Sequence, residues 1–564
     1  MTSDTDVAFA TEPELDAGIQ DLTAGAAAWA ALSLPARIDL LRRTHAAVAG
    51  AADAWAAAAL AAKHVPAGPL EGEEWITGPY ATLSGFAAVI ESLEKIAAGK
   101  SPLAGVRTGR APGDRTTFRM LPGNAYERNL FHGFHADLWL KPGVSAGDAI
   151  AGAGLGAKRT GENGGVGLVL GAGNISSIGP LDVLYELVAF NRVSVLKLNP
   201  TFGTLIGAYR QAFKPLIDGG VLRIVNGGAE TGQYLTAHPG IAHVHITGSR
   251  VTHDLIVFGS ATDKSERKLD KPISSELGGV SPIIVIPGKW SSADLRFQAE
   301  NVATQRLHNG GHNCIAGQAL ILSADWEQKD AFLAELRAVL TGLAPRSPWY
   351  PGTERKVASA AASYPDAETI NGLMLAEVTP DTSQDLLSTE YFGPVLGYTA
   401  LPGTGAEFFR AAVDFANRKL DGTLGASVIV EPAARREMGA RFEDILALLR
   451  YGSVGVNVWS AFAFLTPTLS WGAFPGSTLD DVGSGIGVVH NSHLVEDVER
   501  SVSWGPFRPF PRSIAAGEIS LFPKPPWFIT AYSARETGQK LTRFAAAPSW
   551  ARLLPVFGSA FRAG

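Results

Sequence analysis

The chain has 564 residues, 46% hydrophobic and 18% charged, with 63 glycines, 34 prolines and a formal net charge of −6. That length exceeds what one hydrophobic core supports, so two or three globular domains are expected. A pI near 6.1 leaves no basic footprint for nucleic acid, and a single cysteine excludes an intrachain disulfide framework and a cysteine-based zinc site.

The first six residues are acidic and lack the basic, then apolar, pattern of a signal peptide. No uninterrupted apolar run has the length needed to cross a bilayer. The expected location is the cytoplasm, and no metal site is expected.

Residues 12–65 are alanine-rich, with Leu34, Ile38, Leu40 and Leu41 at helical spacing among Arg37, Asp39, Arg42 and Arg43, which predicts amphipathic helices. Glycine, proline and isolated charges break the pattern over 101–140, and 136–140 reads as a short strand entering the next unit. Regularity returns with the apolar run 166–170, the turn Gly171-Ala172-Gly173-Asn174, and Ser176 or Ser177 as a helix cap. Strands at 193–198, 222–225 and 243–247 alternate with helical stretches near 203–217 and 229–237, the signature of βαβ units and a buried parallel sheet. A second α/β region runs from about 276 to 480, opening with Ile283-Ile284-Val285-Ile286 and closing near 453–458. The last sixty residues are rich in proline and aromatics, Trp504-Gly505-Pro506-Phe507 and Pro525-Pro526-Trp527-Phe528 among them. They read as a docking tail, for the chain's own body, another subunit, a partner or a membrane surface.

Cys314 lies in the polar, glycine-rich segment His308-Asn309-Gly310-Gly311-His312-Asn313-Cys314, where ordinary apolar packing does not explain it. A thiolate attacks carbonyl carbon well, which makes Cys314 the leading candidate for a nucleophile. The turn at Gly171 and Gly173 is by itself a weak nucleotide signal, because the third glycine of the dinucleotide fingerprint is missing. The following strand ends in Lys197-Leu198-Asn199-Pro200, where that fingerprint places an acid for the ribose.

Seven segments in order say more: Gly173-Asn174-Ile175-Ser176, Lys197-Leu198-Asn199-Pro200, Ile246-Thr247-Gly248-Ser249, Glu276-Leu277-Gly278-Gly279, Gly311-His312-Asn313-Cys314, Glu390-Tyr391-Phe392-Gly393-Pro394-Val395 and Gly452-Ser453-Val454-Gly455-Val456-Asn457. This series resembles the aldehyde dehydrogenase superfamily from about residue 34 to 487, and Glu-Leu-Gly-Gly and Phe-Gly-Pro-Val are its specific pieces. The resemblance implies an α/β fold with a Rossmann-like nucleotide-binding domain (1–137 and 162–275), an α/β catalytic domain (276–480), a small oligomerisation arm (138–161 and 481–500) and an uncovered C-terminal extension (501–564). It also implies a homodimer or homotetramer and NAD or NADP as cofactor.

The implied catalytic residues are Cys314 as nucleophile, Asn174 with the Cys314 backbone N–H as oxyanion donors, and Glu276 as the base that activates water on a thioester. The implied cofactor contacts are Lys197, Gly248, Ser249, Gly278 and Glu390. Three departures stand out: His253 occupies a place usually held by glycine, Pro200 replaces an acid that selects a free ribose, and His312 replaces glutamine two residues before the cysteine. The second keeps NADP open beside NAD. In the third, a histidine there could pair with the thiol, while His308 reads as structural. Trp459, Phe462, Phe464 and Tyr185 suggest a tunnel for a bulky apolar or aromatic aldehyde. The alternatives are a CoA-dependent acylating enzyme, against which Glu276 argues, a non-catalytic oligomeric scaffold, and a cysteine hydrolase without nucleotide.

Overall fold

The computed structural model describes residues 9–564. Two sheets carry the architecture. The first has six strands, in the order Gly485–Ile486, Ile273–Leu277, Ile241–Gly248, Val166–Leu170, Val193–Leu198, Leu222–Asn226, and every neighbouring pair is parallel except the first. Helices cover both faces, so strands such as Val193–Leu198 are buried along their whole length and read as continuous apolar runs.

Chain order decides where this sheet opens. The chain steps outward from Val166–Leu170 through Val193–Leu198 to Leu222–Asn226, then returns to the other side with Ile241–Gly248. Ligand crevices form beyond the carboxyl ends of strands at such a reversal, here beside Leu170, Lys197 and Gly248. The expected serine cap is not formed. Ser177 precedes the helix Ile178–Ala189 without a capping bond and donates instead to the Thr77 carbonyl at 2.5 Å, while Ser176 accepts from the Trp55 indole at 2.9 Å.

The helix Leu34–Ala62 is, among the described residues, long and apolar enough by length and composition to cross a bilayer, while the expectation of no uninterrupted apolar run of that length stands. Its alanines raise the mean hydropathy while Arg37, Arg42 and Arg43 interrupt the run. It packs on the helices Ala81–Ala97 and Ile206–Ala212, with Leu41, Val48 and Trp55 fully buried.

The second sheet has eleven strands, in the order Thr108–Ala111, Arg115–Leu121, His135–Leu140, Val498–Trp504, Ser453–Val456, Gly425–Ile429, Ser281–Val285, Gly317–Ser323, Val395–Leu401, Leu373–Glu377, Glu368–Ile370. It is parallel from Val498–Trp504 to Leu373–Glu377 and antiparallel at both ends.

This arrangement redraws the expected boundaries. Residues 108–121 and 135–140, assigned by sequence to the nucleotide unit or the arm, extend the catalytic sheet through Val498–Trp504, which pairs with Ser453–Val456 on one side and His135–Leu140 on the other. A strand left unpaired there would expose a row of backbone donors and acceptors. The 481–500 stretch is divided, since Gly485–Ile486 pairs with Ile273–Leu277 in the other sheet.

The extension beyond residue 501 packs on the chain's own body. Phe507 is buried with its ring 5.1 Å from Trp290, and Arg508 pairs with Asp294 and Glu431, each at 3.2 Å. The helix Ala534–Ala546 lies against Gly72–Trp75 so closely that a Cβ on Gly72 would sit 2.4 Å from the Ala534 backbone.

Candidate active site

The helix Ser292–Leu307, started by a Ser291–Asp294 capping box, delivers the chain to the nucleophile loop. There Asn309, Gly310 and Gly311 take φ of 57°, 69° and 83°. Glycine is required at 311 twice over, by the left-handed backbone and because a Cβ would lie 2.8 Å from the Gly393 carbonyl. Arg306 donates to the carbonyls of Gly311, at 3.1 Å, and Gly393, tying the Cys314 loop to the Glu390 loop.

Asn309 is the hub of the loop. Its amide donates to the carbonyls of Asn174 and His312 at 3.0 and 3.1 Å, and its own side-chain oxygen accepts from Lys63 at 3.0 Å. Lys63 and Glu74 are fully buried and pair at 2.5 Å. Glu73 accepts from the Asn309 N–H at 3.1 Å and pairs with Arg346 at 2.7 Å. A buried ionic cluster therefore fixes the backbone from which the cysteine projects, and such a cluster is costly to break by removing one member.

All eight residues assigned by sequence to catalysis or cofactor contact, Asn174, Lys197, Gly248, Ser249, Glu276, Gly278, Cys314 and Glu390, line one cleft of about 860 Å³ at the strand reversal. Asn174 donates its amide to the His312 carbonyl at 2.9 Å. Burial pushes the Cys314 thiol well above its ordinary range, and the Glu276 and Glu390 charges add to that, opposed by the N–H groups of Cys314 and Ile315. Burial raises Glu276 to about 8, helped by the Asp182 charge and opposed by His245 and Trp471. Its Oε1 has no protein partner among the described residues.

His312 does not pair with the thiol, contrary to one expectation. Its Nδ1 faces the Asn309 carbonyl and its Nε2 the Thr353 hydroxyl, both at 2.9 Å, so neither ring nitrogen is free. Burial lowers it to about 3, and it stacks on Tyr350 at 5.5 Å. His308 is buried with its ring 5.2 Å from Trp459 and stands in the wall of an apolar cavity beside Cys314. His253 is fully buried beside Asp254, at 3.3 Å, and is absent from the cleft wall, so its bulk does not obstruct the helix N-terminus at Ser249.

The cleft suits a dinucleotide. Ser249 caps the helix Arg250–Phe258, whose first turn opens into it, the arrangement that binds phosphate. Lys197, lowered to about 8 by burial, has no ion-pair partner among the described residues. Glu390, raised to about 7 by burial against Lys356 and Arg306, keeps a buried Oε1 without a partner. Gly278 is explained by that carboxylate, since a Cβ there would lie 1.9 Å from Glu390 Oε1. Pro200 opens a short helical turn capped by Asn199, so no acid stands three residues beyond Lys197.

On its other side Cys314 borders a narrow apolar cavity of about 50 Å³, walled by Trp459, Phe462, Phe464, Trp471 and Trp527. Three of the four aromatics expected there are present. Tyr185 is not; its hydroxyl faces the Asn491 amide at 3.4 Å and its ring packs on Phe190.

The aldehyde dehydrogenase family model matches residues 195–361, a span holding Lys197, Gly248, Ser249, Glu276, Gly278 and Cys314. Over that stretch the chain is similar to the aldehyde dehydrogenase family. Solved aldehyde dehydrogenases share the fold along most of the chain. The gamma-glutamyl-gamma-aminobutyraldehyde dehydrogenase of Burkholderia cenocepacia is 21% identical with a TM-score of 0.57, covering 88% of this chain and 89% of its own. An NADP-dependent glyceraldehyde-3-phosphate dehydrogenase of Bacillus halodurans, solved with NADP, is 18% identical with a TM-score of 0.58 (87% and 91%). An NAD-dependent aldehyde dehydrogenase of Sinorhizobium meliloti is 20% identical with a TM-score of 0.56 (89% and 89%). Both cofactors expected from the sequence thus occur among the aldehyde dehydrogenases of this fold.

Four positions around the site escaped sequence reasoning: Lys63, Glu74, Arg306 and Trp527. Each meets the site through the tertiary fold, and no local spacing marks it.

Proposed function

We propose that this chain is an aldehyde dehydrogenase that oxidises an apolar aldehyde to the carboxylic acid with NAD or NADP. The observation that carries the reading is that Cys314 and Asn174 line both a dinucleotide-sized cleft and an apolar cavity, with Glu276 in the wall of the cleft.

In this scheme the Cys314 thiol first gives up its proton to water in the cleft, and the thiolate so formed adds to the carbonyl carbon. The resulting alkoxide is held by the Asn174 side-chain amide and the Cys314 backbone N–H, donors worth about a hundred- to a thousandfold each in rate. NAD or NADP, held by Lys197, Ser249 and Glu390, supplies when bound the acceptor for the hydride that leaves that carbon. The acyl group stays on Cys314 as a thioester. Glu276 takes a proton from the water that attacks it, a contribution of about a hundred- to ten-thousandfold. The raised affinity of Glu276 for protons suits a base that works near neutral pH. The aromatic cavity wall offers no cation for a charged substrate, which supports an apolar aldehyde.

Incubation with NAD or NADP and an aldehyde panel, with and without CoA, tests the proposal by product analysis. Carboxylic acid formed without CoA supports it; acyl-CoA formed only with CoA overturns it. Assembly as a homodimer or homotetramer belongs to the same proposal and is read by light scattering after size exclusion.

A further inference from the structure

The C-terminal extension reaches the catalytic cysteine. Trp527 lies in the wall of the 50 Å³ cavity at Cys314 and equally in the wall of a second apolar cavity, of about 70 Å³, that continues beneath the tail towards Phe528, Leu541 and Val556. The two share Ile76, Trp459, Phe462, Leu465 and Trp527, so these side chains form a partition within one apolar path.

Trp527 is the member of that partition best placed to move. Its ring packs 5.6 Å from Phe462 and 5.9 Å from Phe134 among apolar neighbours, and no hydrogen bond holds its indole N–H among the described residues. Trp459, by contrast, donates its indole N–H to the Ile315 carbonyl at 3.1 Å. The segment bearing Trp527 is anchored on either side of it. Lys524 pairs with Glu300 at 2.8 Å, and the Ile529 N–H donates to Thr304 at 3.2 Å. Both anchors lie on the helix Ser292–Leu307 that leads into the nucleophile loop.

We propose that the extension is the distal half of the aldehyde site, with Trp527 setting how long an apolar chain the site accepts. The cavities are narrow and mostly apolar, with Asn174, His308 and Asn313 in the wall of the first and Asn301, Asn457 and Arg508 in the wall of the second, which suits linear alkyl aldehydes over fused rings. Chains short of Trp527 fill the first cavity, and longer ones reach the second only past the indole. This rests on the proposed aldehyde oxidation.

The test compares the wild type with Trp527→Ala and Trp527→Leu, all checked for folding by circular dichroism. Each full-length protein is given a series of straight-chain aldehydes, and kcat/KM is measured against chain length. A parallel calorimetric titration without cofactor uses the unreactive straight-chain carboxamides. The wild type should gain about fourfold per methylene until the chain meets Trp527, then level off. Both variants should carry that rise on to longer chains, so that the ratio of kcat/KM for long over short aldehydes grows with chain length past the wild-type break. A break at the same chain length in folded variants would overturn the inference. If the wild type oxidises no aldehyde, the proposed activity fails, and the carboxamide series still decides whether Trp527 limits chain length.

Discussion

The Asn174 side-chain amide donates to the His312 carbonyl at 2.9 Å, which joins the turn after the strand Val166–Leu170 to the loop that carries Cys314. An amide has two hydrogens, and this bond fixes the plane of the group. The second hydrogen is left for an oxygen bound in the cleft that Asn174 lines.

Replacing Asn174 by Ala is therefore expected to lower kcat/KM by about a hundred- to a thousandfold, with the fold retained and the cofactor dissociation constant nearly unchanged. Steady-state kinetics and cofactor titration by fluorescence check this. A loss of less than tenfold would remove Asn174 from the oxyanion role.

Glu276→Gln is expected to arrest the reaction after acylation. Mass spectrometry of the quenched protein should then find the acyl group accumulated on Cys314, where the wild type shows little.

The same substitution gives a stability test with a definite sign. Glu276 is raised from its ordinary value to about 8, so between roughly pH 4.5 and 8 the folded state binds more protons than the unfolded one, and stability from this group falls as pH rises. Glu276→Gln should raise the melting temperature at pH 9, where the buried carboxylate is charged, and leave it almost unchanged at pH 5. Melting curves at the two pH values decide it.

Removal of Lys63 should expose the cost of the buried cluster. Lys63→Ala leaves Glu74 unpaired and Asn309 without its donor, a loss of about 3–5 kcal/mol. Urea denaturation measures it, and a loss below about 1 kcal/mol would show that the pair is not a support of the loop.

Lys197 is lowered to about 8 by burial, so cofactor affinity should weaken as pH rises through that value and the cation is lost. Titrations from pH 6 to 9.5 should show this in the wild type, and Lys197→Met should bind more weakly with the trend flattened.

The nucleotide-binding strands and the eight cleft residues were legible in the sequence because each rests on a few contiguous residues. A glycine turn after an apolar run, or a carboxylate before Leu277-Gly278-Gly279, carries its meaning locally. The partners of those residues were not legible. Lys63 meets Asn309 across 246 positions, and Trp527 lines the same cavity as Cys314 only because the tail folds back over the helix Ser292–Leu307. His312 misled for a related reason: proximity in sequence suggested a thiol partner, whereas Thr353, 41 residues away, takes one ring nitrogen. The pairing of 135–140 was not legible either, because nothing local in those residues tells which sheet they will join.

The most direct measurement is product analysis for the wild type and Cys314→Ala with an apolar aldehyde, NAD or NADP, and no CoA. The account predicts stoichiometric carboxylic acid and reduced cofactor from the wild type, and neither from the variant, which should still bind cofactor. Acid formation undiminished in Cys314→Ala would contradict it.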